Sequence, residues 1–298
     1  MEIDTRFPTK LDTISDVPEP FRSALAESLP SGESVRLLVH APASTTGDQR
    51  SPATVLAVTN DGWLVASETE DGGATLEKAD FSNTLFLELT TIFLLGQLKI
   101  SFAAVSTSYS ATITFETVED EVYREAIDLI LAGIDPRVGG MAGKDLSDVT
   151  MFESWPMKIR NEAHRFSPRG QRVLAAVQWP GISGGSHQQL APAGALLFAD
   201  SELVVISEEK NASTESSSTD ELKEKFGGTI TFVPGVRLAD FHVSHQESFD
   251  VLALEVHAAH GEKKLEIIFP TEEEMTVRKA MEQMMGSRRS MNQTIRKN

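Results

Sequence analysis

No cysteine occurs among the 298 residues of the chain. Disulfide bridges, thiolate metal sites and cysteine nucleophiles are therefore excluded together, and a reducing compartment is compatible with the composition. Basic side chains are also scarce, since 27 Lys and Arg stand against 44 Asp and Glu and give a formal net charge of −17. Because polyanions and anionic lipid surfaces attract clustered cations, this balance argues against nucleic acid and against a membrane as partners.

Long apolar runs are missing too. The most apolar stretch, Leu85 to Phe102, is interrupted by Glu88 and Lys99, whereas a membrane-spanning helix needs about 20 predominantly apolar residues. The first ten residues, MEIDTRFPTK, carry acids where a signal peptide carries positive charge before an apolar run. We therefore expect a soluble, cytoplasmic protein, and a composition that is 40% hydrophobic and 24% charged is typical of a protein with real cores.

What the chain does have is an internal repeat. Three blocks of residues recur in the same order, displaced first by 138, then by 140 and finally by 154 positions. Examples are Val35 and Val173, Pro52 and Pro192, and Phe115 and Phe269. A chain of this length is expected to hold about two domains, so the repeat predicts two copies of one domain, at 18–133 and 156–287. The remaining segments are predicted to be an N-terminal arm at 1–17, a linker at 134–155 and a flexible tail at 288–298.

Each copy follows the same local pattern. A short helix is predicted first, at Glu19–Leu29 and at Met157–Phe166, and alternating or β-branched runs separated by turn residues follow it. Alternation in Gln97–Phe102, for example, places Leu98, Ile100 and Phe102 on one face of a strand. Thr117 and Thr271, each with an acid three residues later, predict the N-caps of a closing helix. The whole pattern predicts an α+β, mainly β protein built from antiparallel meanders.

The second copy is longer than the first by 14 residues between Glu208 and Ile267. The segment Glu208–Glu221 is acidic, rich in Ser and Thr and without large apolar groups. Such a segment cannot bury enough surface to order itself. We therefore expect a solvated hairpin loop there.

The order of helix, Pro-x-Gly, several short antiparallel strands and closing helix resembles that of bacterial pleckstrin-homology-like domains. The similarity rests on the strand pairs in Leu37–Ser67 and Arg172–Ser207, on Leu94–Phe102, and on the last strand and helix that begin at Ile113 and at Ile267. The resemblance covers most of the chain. It implies two tandem, partly open antiparallel β-barrels, each closed by its C-terminal helix, and a scaffold that binds more often than it catalyses.

The same resemblance bears on lipid binding. Members that hold phosphoinositide headgroups do so with Lys and Arg around the first strand-to-strand loop. Here the corresponding loops are Pro42–Ser51, in which Arg50 stands against Asp48, and Pro180–Leu190, which has neither Lys nor Arg. Phosphate recognition needs charge-assisted donors, so a membrane-proximal lipid-binding module, with contact through the basic tail at Arg288–Asn298, is an alternative and not the main expectation.

One motif supports an enzymatic alternative. Residues 181–185 match Gly-x-Ser-x-Gly, the pattern of a nucleophile elbow, which would make Ser183 the nucleophile of a serine-dependent hydrolase. Candidate partners of that serine are His187 or His257 as base and Asp200 or Asp250 as the orienting acid. The elbow requires a strand-to-helix turn, whereas strands are predicted on both sides of this motif. We prefer to interpret it as a flexible glycine turn.

Three further patterns have ordinary structural explanations. The pairs His242 and His245, and His257 and His260, are spaced by three residues, which places the side chains on opposite faces of a strand. The segment Gly139–Lys144 (GGMAGK) lacks the first glycine and the hydroxyl residue of a phosphate-binding loop. The acids at 119–121 and 272–274 lie in the first turns of predicted helices, where the helix dipole explains them. We therefore predict no metal site, no cofactor and no catalytic residue.

Two tryptophans are the candidate partner contacts. Trp155 lies in the predicted linker and Trp179 at a strand end, and large aromatic side chains near loops often anchor interfaces. Packing between the two copies would explain both equally well. The sequence thus predicts a non-enzymatic binding or scaffolding module of unknown ligand. Its expected partner is another protein or a second copy of the chain, reached through an exposed sheet edge.

Overall fold

The computed structural model describes residues 7–29, 34–46, 49–117, 121–136, 149–183, 189–208 and 227–295, and it is α+β and mainly β. Its α-helices are α1 (Phe21–Ser28), α2 (Glu121–Ile134), α3 (Met157–Phe166) and α4 (Glu274–Ile295). Its strands are β1 (Thr9–Leu11), β2 (Val35–Ala41), β3 (Ser44–Thr46), β4 (Gln49–Ser51), β5 (Thr54–Thr59), β6 (Gly62–Glu68), β7 (Ala74–Asp80), β8 (Thr84–Ile92), β9 (Leu95–Ala104), β10 (Thr107–Glu116), β11 (Val173–Trp179), β12 (Ile182–Ser183), β13 (Gln189–Ala191), β14 (Gly194–Ala199), β15 (Glu202–Glu208), β16 (Gly227–Pro234), β17 (Leu238–His245), β18 (Asp250–Ala258) and β19 (Gly261–Phe269).

All strand pairs are antiparallel, as the sequence predicts. A five-stranded sheet has the order β1-β2-β5-β6-β7, a seven-stranded sheet the order β10-β9-β8-β16-β15-β14-β11, and a three-stranded sheet the order β17-β18-β19. Two short hairpins, β3–β4 and β12–β13, complete the set. In the described part of the chain these sheets stay open and do not close into barrels.

The order of elements repeats in the two halves. In the first, α1 precedes β2, the hairpin β3–β4, and β5 to β7, and a 3₁₀ turn leads to β8, β9, β10 and α2. In the second, α3 precedes β11, the hairpin β12–β13, and β14 to β16, and a 3₁₀ turn leads to β17, β18, β19 and α4. The strand β1 is an addition to the first half, where it pairs with β2.

The repeat extends to local backbone detail. A register shift in β2 between Val35 and Leu37 recurs in β11 between Val173 and Ala175, 138 positions later. The shift in β8 between Thr84 and Phe86 recurs in β17 between Leu238 and Asp240, 154 positions later. The hydrogen bond from the Glu68 amide to the Ala53 carbonyl likewise recurs from Glu208 to Ala193, at 2.9 Å in both halves. Shared bulges are designed features of a strand, so the displacements found in the sequence correspond to equivalent positions in the fold.

The two halves are joined by one continuous sheet. Leu87–Ile92 of β8 pairs with Gly227–Phe232 of β16, so strands of both copies follow one another with no break in the seven-stranded sheet. The Arg237 guanidinium adds donors to the carbonyl oxygens of Phe81, at 2.6 Å, and Thr84, at 2.9 Å. Two halves that share a backbone ladder cannot move as independent bodies without breaking it.

Both faces of the two larger sheets are buried. On the five-stranded sheet, Leu37 and Val39 point into a core shared with β8, β9, β10 and α2, whereas Leu38 points outward under α1. The shared core continues along one face of the seven-stranded sheet, where α3 contributes Ile159 and Phe166. The other face of that sheet, the three-stranded sheet and α4 enclose a second core. The alternation predicted for Gln97–Phe102 is confirmed, because Leu98, Ile100 and Phe102 are all buried in the shared core.

Several predicted boundaries differ from the structure. Part of the predicted linker is packed, since Ile134 and Phe152 are buried in the shared core. The backbone of α4 stays helical to Ile295, beyond the start of the predicted tail at 288. The predicted N-cap at Thr271 is wrong, because Thr271 begins a 3₁₀ turn and its hydroxyl donates to Asp250. Gly139–Lys144, and the predicted hairpin loop beyond Glu208, lie outside the described residues.

Candidate protein-binding surface

A concave surface of the described residues lies where the turn between β18 and β19 of the second half meets the first half. This junction groove has a volume of about 640 Å³. Leu29, Trp63, Phe102, Ala104 and Val105 supply its apolar lining, and its polar rim consists of Asp61, Lys78, Asp80, Asn83 and His260. An apolar concavity with few polar groups around it is the usual form of a binding site.

The floor of the junction groove is aromatic. Trp63 on β6 is 1% exposed, and its indole Nε1 donates to the Thr84 hydroxyl at 2.9 Å. Its ring meets Phe102 of β9 edge to face, with centroids 5.2 Å apart. Tyr109 of β10, half exposed, has its ring centroid 5.8 Å from that of Phe102. Trp63 and Phe102 line the groove, whereas Tyr109 lies beside it, and the edge-to-face contact of Trp63 with Phe102 is one of the favoured arrangements of aromatic pairs.

The second half contributes part of the rim. His260 lies in the turn between β18 and β19, and its Nδ1 is 2.7 Å from Oδ1 of Asn83. The Ser106 amide donates to the His260 carbonyl at 2.9 Å, and the Ala259 amide donates to the Ser82 carbonyl at 3.0 Å. These contacts tie this side of the rim to both copies, although His260 is the one described lining residue that comes from the second half.

The turn from β9 to β10 is strained beside the groove. Val105 has a φ of 49° and Ser106 a φ of 67°, both in the left-handed region. A β-branched residue rarely adopts that conformation. Val105 is nevertheless 90% exposed, so no burial of its side chain offsets the strain. Positive φ at both residues is the geometry of the two-residue hairpin turn that joins β9 to β10, and it leaves the Val105 side chain exposed beside the groove.

The strand β7 borders the groove and has a free edge. Lys78, Ala79 and Asp80 belong both to β7 and to the groove lining. β7 is the last strand of the five-stranded sheet, with only β6 beside it among the described strands. Partial burial raises the pKa of Glu77, in the middle of β7, above the usual value for a glutamate. An unpaired edge beside a pocket is the arrangement that strand-addition domains use to bind extended peptides.

A buried group of charges lies between α2 and the second half. Arg124 is 5% exposed, and its guanidinium lies 5.3 Å from the ring of Phe166 and 5.4 Å from the ring of Phe232. Nε of Arg124 is 3.1 Å from Asp128. Glu202, 3% exposed at the start of β15, accepts from Gln171 at 3.3 Å, and burial raises its pKa to about 7.

The residues equivalent to Arg124 and Glu202 in the other copy do not form a buried group of charges. Arg278, 154 positions after Arg124, pairs with Glu274 on the surface of α4 and is half exposed. Glu202 replaces Gly62, the residue at the equivalent place in the first half. Arg124 is buried only because α2 packs against the second half, so the charges belong to the joint between the copies. A perturbed pKa can mark an active site, but this group does not line the junction groove.

The described residues give the hydrolase alternative a context of strands. Ser183 ends β12 in the hairpin β12–β13, and β11 and β13 are the described elements on either side of the motif, whose residues 184 and 185 lie outside the described residues. Three of the proposed partners are engaged elsewhere: Asp200 with Arg172 at 3.5 Å, Asp250 with His245 at 2.7 Å, and His257 with Glu262 at 3.2 Å. His187 lies outside the described residues.

The predicted histidine pairs, and Arg50 in the loop between β2 and β5, make ordinary surface contacts. Each of His245, His257 and His260 contacts its own acid or amide, and the described residues hold no group of three His, Cys, Asp or Glu suited to a metal ion. Arg50, the cation of the loop between β2 and β5, lies 3.6 Å from Glu68. None of the helices in the described part of the chain has the length and apolarity to cross a membrane.

The two predicted contact tryptophans differ in exposure. Trp155 is half-buried, with its ring 4.9 Å from the buried Phe152, so one side of the ring reaches the surface. Trp179 is 3% exposed and lies directly over Gly194, where an added Cβ would come within 2.8 Å of the ring. Trp179 is therefore part of the second core. As partner contacts both stay predictions.

No protein-family model matches the chain, and no curated protein matches it significantly. The sequence analysis did not predict the junction groove. Its lining comes from α1, β5, β6, β7, β9, a 3₁₀ turn and three other turns, so no contiguous stretch of the sequence predicts it. The only local signal is Ala104-Val105-Ser106, an apolar hairpin tip between two well-alternating strands.

Proposed function

We propose that the protein is a non-catalytic module that binds an extended segment of a partner protein. The segment adds to the free edge of β7 and places side chains in the junction groove. The observation that carries this proposal is the contiguity of an unpaired strand edge with an aromatic pocket. Main-chain hydrogen bonds along β7 would supply affinity, and the pocket around Trp63 and Phe102 would supply selectivity.

We also propose that each half is a pleckstrin-homology-like unit. In its support, each half runs through four main strands, a 3₁₀ turn, three strands and a helix. The backbone positions shared by the halves, including two bulges, point the same way. On this proposal the first half binds through the edge of its fourth main strand, since the homologous edge of the second half is already occupied by β8.

The rim chemistry indicates which segment would fit. Asp61 and Asp80 are exposed at the groove and stand against one exposed cation of the described lining, Lys78. The apolar lining needs a large apolar side chain. We expect an extended, β-prone peptide with one aromatic or aliphatic anchor, and the net charge of −17 favours a basic flank.

The test is a selection of displayed peptides against the full chain, followed by hydrogen–deuterium exchange. Bound peptides should protect the amides of β7. Val105→Asp, at a 90% exposed position of the groove, should weaken binding about tenfold or more because the carboxylate opposes an apolar anchor. Met275→Asp, at an 82% exposed position on α4, is the matched control and should leave binding unchanged. Protection away from β7, or equal loss in both variants, would contradict the proposal.

A further inference from the structure

The joint between the two halves leaves a complementary pair of edges unused. Within the chain, β8 of the first copy pairs with β16 of the second. The repeat counterpart of β8 is β17, and the counterpart of β16 is β7. Both counterparts are edge strands of their sheets in the described structure. Each molecule therefore has one edge strand equivalent to β8, which is β17, and one equivalent to β16, which is β7.

We infer that β17 of one molecule pairs with β7 of a second copy of the chain, in the antiparallel register that joins β8 to β16. This inference rests on the proposed function, because it names the partner that adds to β7. The contact is heterologous, with different surfaces on the two molecules. It therefore repeats from molecule to molecule and builds a ring or a filament rather than a two-fold dimer.

The backbones of the free edges match those of the joined edges. The bulge of β8 between Thr84 and Phe86 recurs in β17 between Leu238 and Asp240. The pairing of β7 with β6, from Glu68 with Ala74 to Gly62 with Asp80, recurs in that of β16 with β15, from Glu208 with Gly228 to Glu202 with Pro234. Because the bulges and registers coincide, the outward amides and carbonyls fall at equivalent places.

The side chains also match when the register is transferred. The central pairs of the internal joint are Thr90–Thr229, Leu89–Ile230, Glu88–Thr231 and Leu87–Phe232. The equivalent pairs between molecules are Ser244–Thr75, Val243–Leu76, His242–Glu77 and Phe241–Lys78. The internal pair Thr90–Thr229 makes a hydroxyl–hydroxyl hydrogen bond of 2.9 Å, which Ser244 and Thr75 can repeat. The second pair stays apolar, and the third sets an imidazole against a carboxylate.

The free edges are more polar than the joined ones, which weakens the contact. Residues 227–233 of β16 carry no charge, whereas β7 carries Glu77, Lys78 and Asp80. Charged side chains on an edge strand oppose permanent pairing. The net charge of −17 also makes two molecules repel each other. The association is therefore reversible, and salt strengthens it by screening the repulsion.

A mixing experiment tests the inference. Thr75→Asp places a carboxylate in the β7 edge, and Ser244→Asp places one in the β17 edge. Sedimentation velocity at rising protein concentration and moderate salt should show association of the wild type, weakened about tenfold or more in either variant. An equimolar mixture of the two variants should form dimers and nothing larger, because it contains one intact β17 and one intact β7 edge. Thr112→Asp, at an exposed position of the edge strand β10, is the control and should associate like the wild type.

The outcomes separate the inference from the proposed function. A wild type that stays monomeric at all concentrations, or a mixture that does not dimerise although the wild type associates, would overturn the inference. If displayed peptides still protect β7 in that case, only the second copy as partner is lost. If no peptide protects β7 either, both proposals fail. Circular dichroism and thermal unfolding of each variant establish that the substitutions leave the fold intact.

Discussion

Replacing the buried Glu202 by glutamine should change how the stability of the protein depends on pH. Glu202 is 3% exposed, and burial raises its pKa from 4.5 to about 7. One pKa unit corresponds to about 1.36 kcal/mol of differential interaction, so ionising this carboxyl in the folded protein costs about 3 kcal/mol. The glutamine side chain has nearly the same size as that of Glu202 and has no proton to lose.

The sign of the effect follows from the direction of the shift. The folded protein holds the Glu202 proton more tightly than the unfolded chain does. Its contribution to stability is therefore fully present below pH 4.5 and is lost as the pH rises through about 7. Relative to Glu202→Gln, the wild type should lose about 3 kcal/mol between these two pH values.

The assay is urea unfolding of the wild type and Glu202→Gln at several pH values across that window. Comparing the two proteins cancels the general repulsion among the other acids, which both share. Glu77→Gln is the control: burial raises the pKa of Glu77 too, but β7 is an exposed edge, so the wild-type-minus-variant stability difference for Glu77→Gln should fall less steeply with pH than that for Glu202→Gln. A wild-type-minus-variant difference for Glu202→Gln that stays constant with pH would refute the reasoning.

Four other outcomes are expected. Arg124→Ala should lower the free energy of unfolding in urea by about 3 kcal/mol, because it removes a buried guanidinium that pairs with Asp128 and packs on the rings of Phe166 and Phe232. Gly62→Ala should lower the free energy of unfolding by about 2 kcal/mol, since the added Cβ would lie 2.3 Å from the Ala79 carbonyl oxygen of β7. Gly286→Ala, in open space on α4, should instead raise the free energy of unfolding by about 0.8 kcal/mol. Thermal unfolding measures both changes. Ser183→Ala should leave any esterase turnover of the preparation unchanged, and abolished turnover would favour a hydrolase. Sedimentation with anionic liposomes should show no salt-sensitive binding, and binding lost on deletion of residues 288–298 would favour a lipid-binding module.

The sequence predicts the elements and their order well because those depend on local patterns. The alternation of Leu98, Ile100 and Phe102 encodes one buried face whatever the strand pairs with. The start of α3 at Met157 and its end at Phe166 agree with the prediction. The duplicated order of strands follows from the repeat, since equivalent residues fold into equivalent elements.

The joint and the groove are not predictable in the same way. Pairing of β8 with β16 hydrogen-bonds two strands whose residues Thr90 and Thr229 are 139 positions apart in the sequence. No local sequence pattern in either strand identifies the other as its partner. The burial of Trp179 depends on the missing side chain of Gly194 on a neighbouring strand. Thr271 is not a cap because the helical turn already begins at Thr271, with Pro270 before it, and the Thr271 hydroxyl donates to the buried Asp250. In each case tertiary contacts decide what local preference leaves open.

The pairing of β8 with β16 also determines how the protein unfolds. A chain cut near residue 140 would leave β8 unpaired in one piece and β16 unpaired in the other, and each piece would expose apolar residues that the other half now buries. Because the ladder and the core are shared, heating or denaturant should melt both halves in one step, and neither half expressed alone should fold.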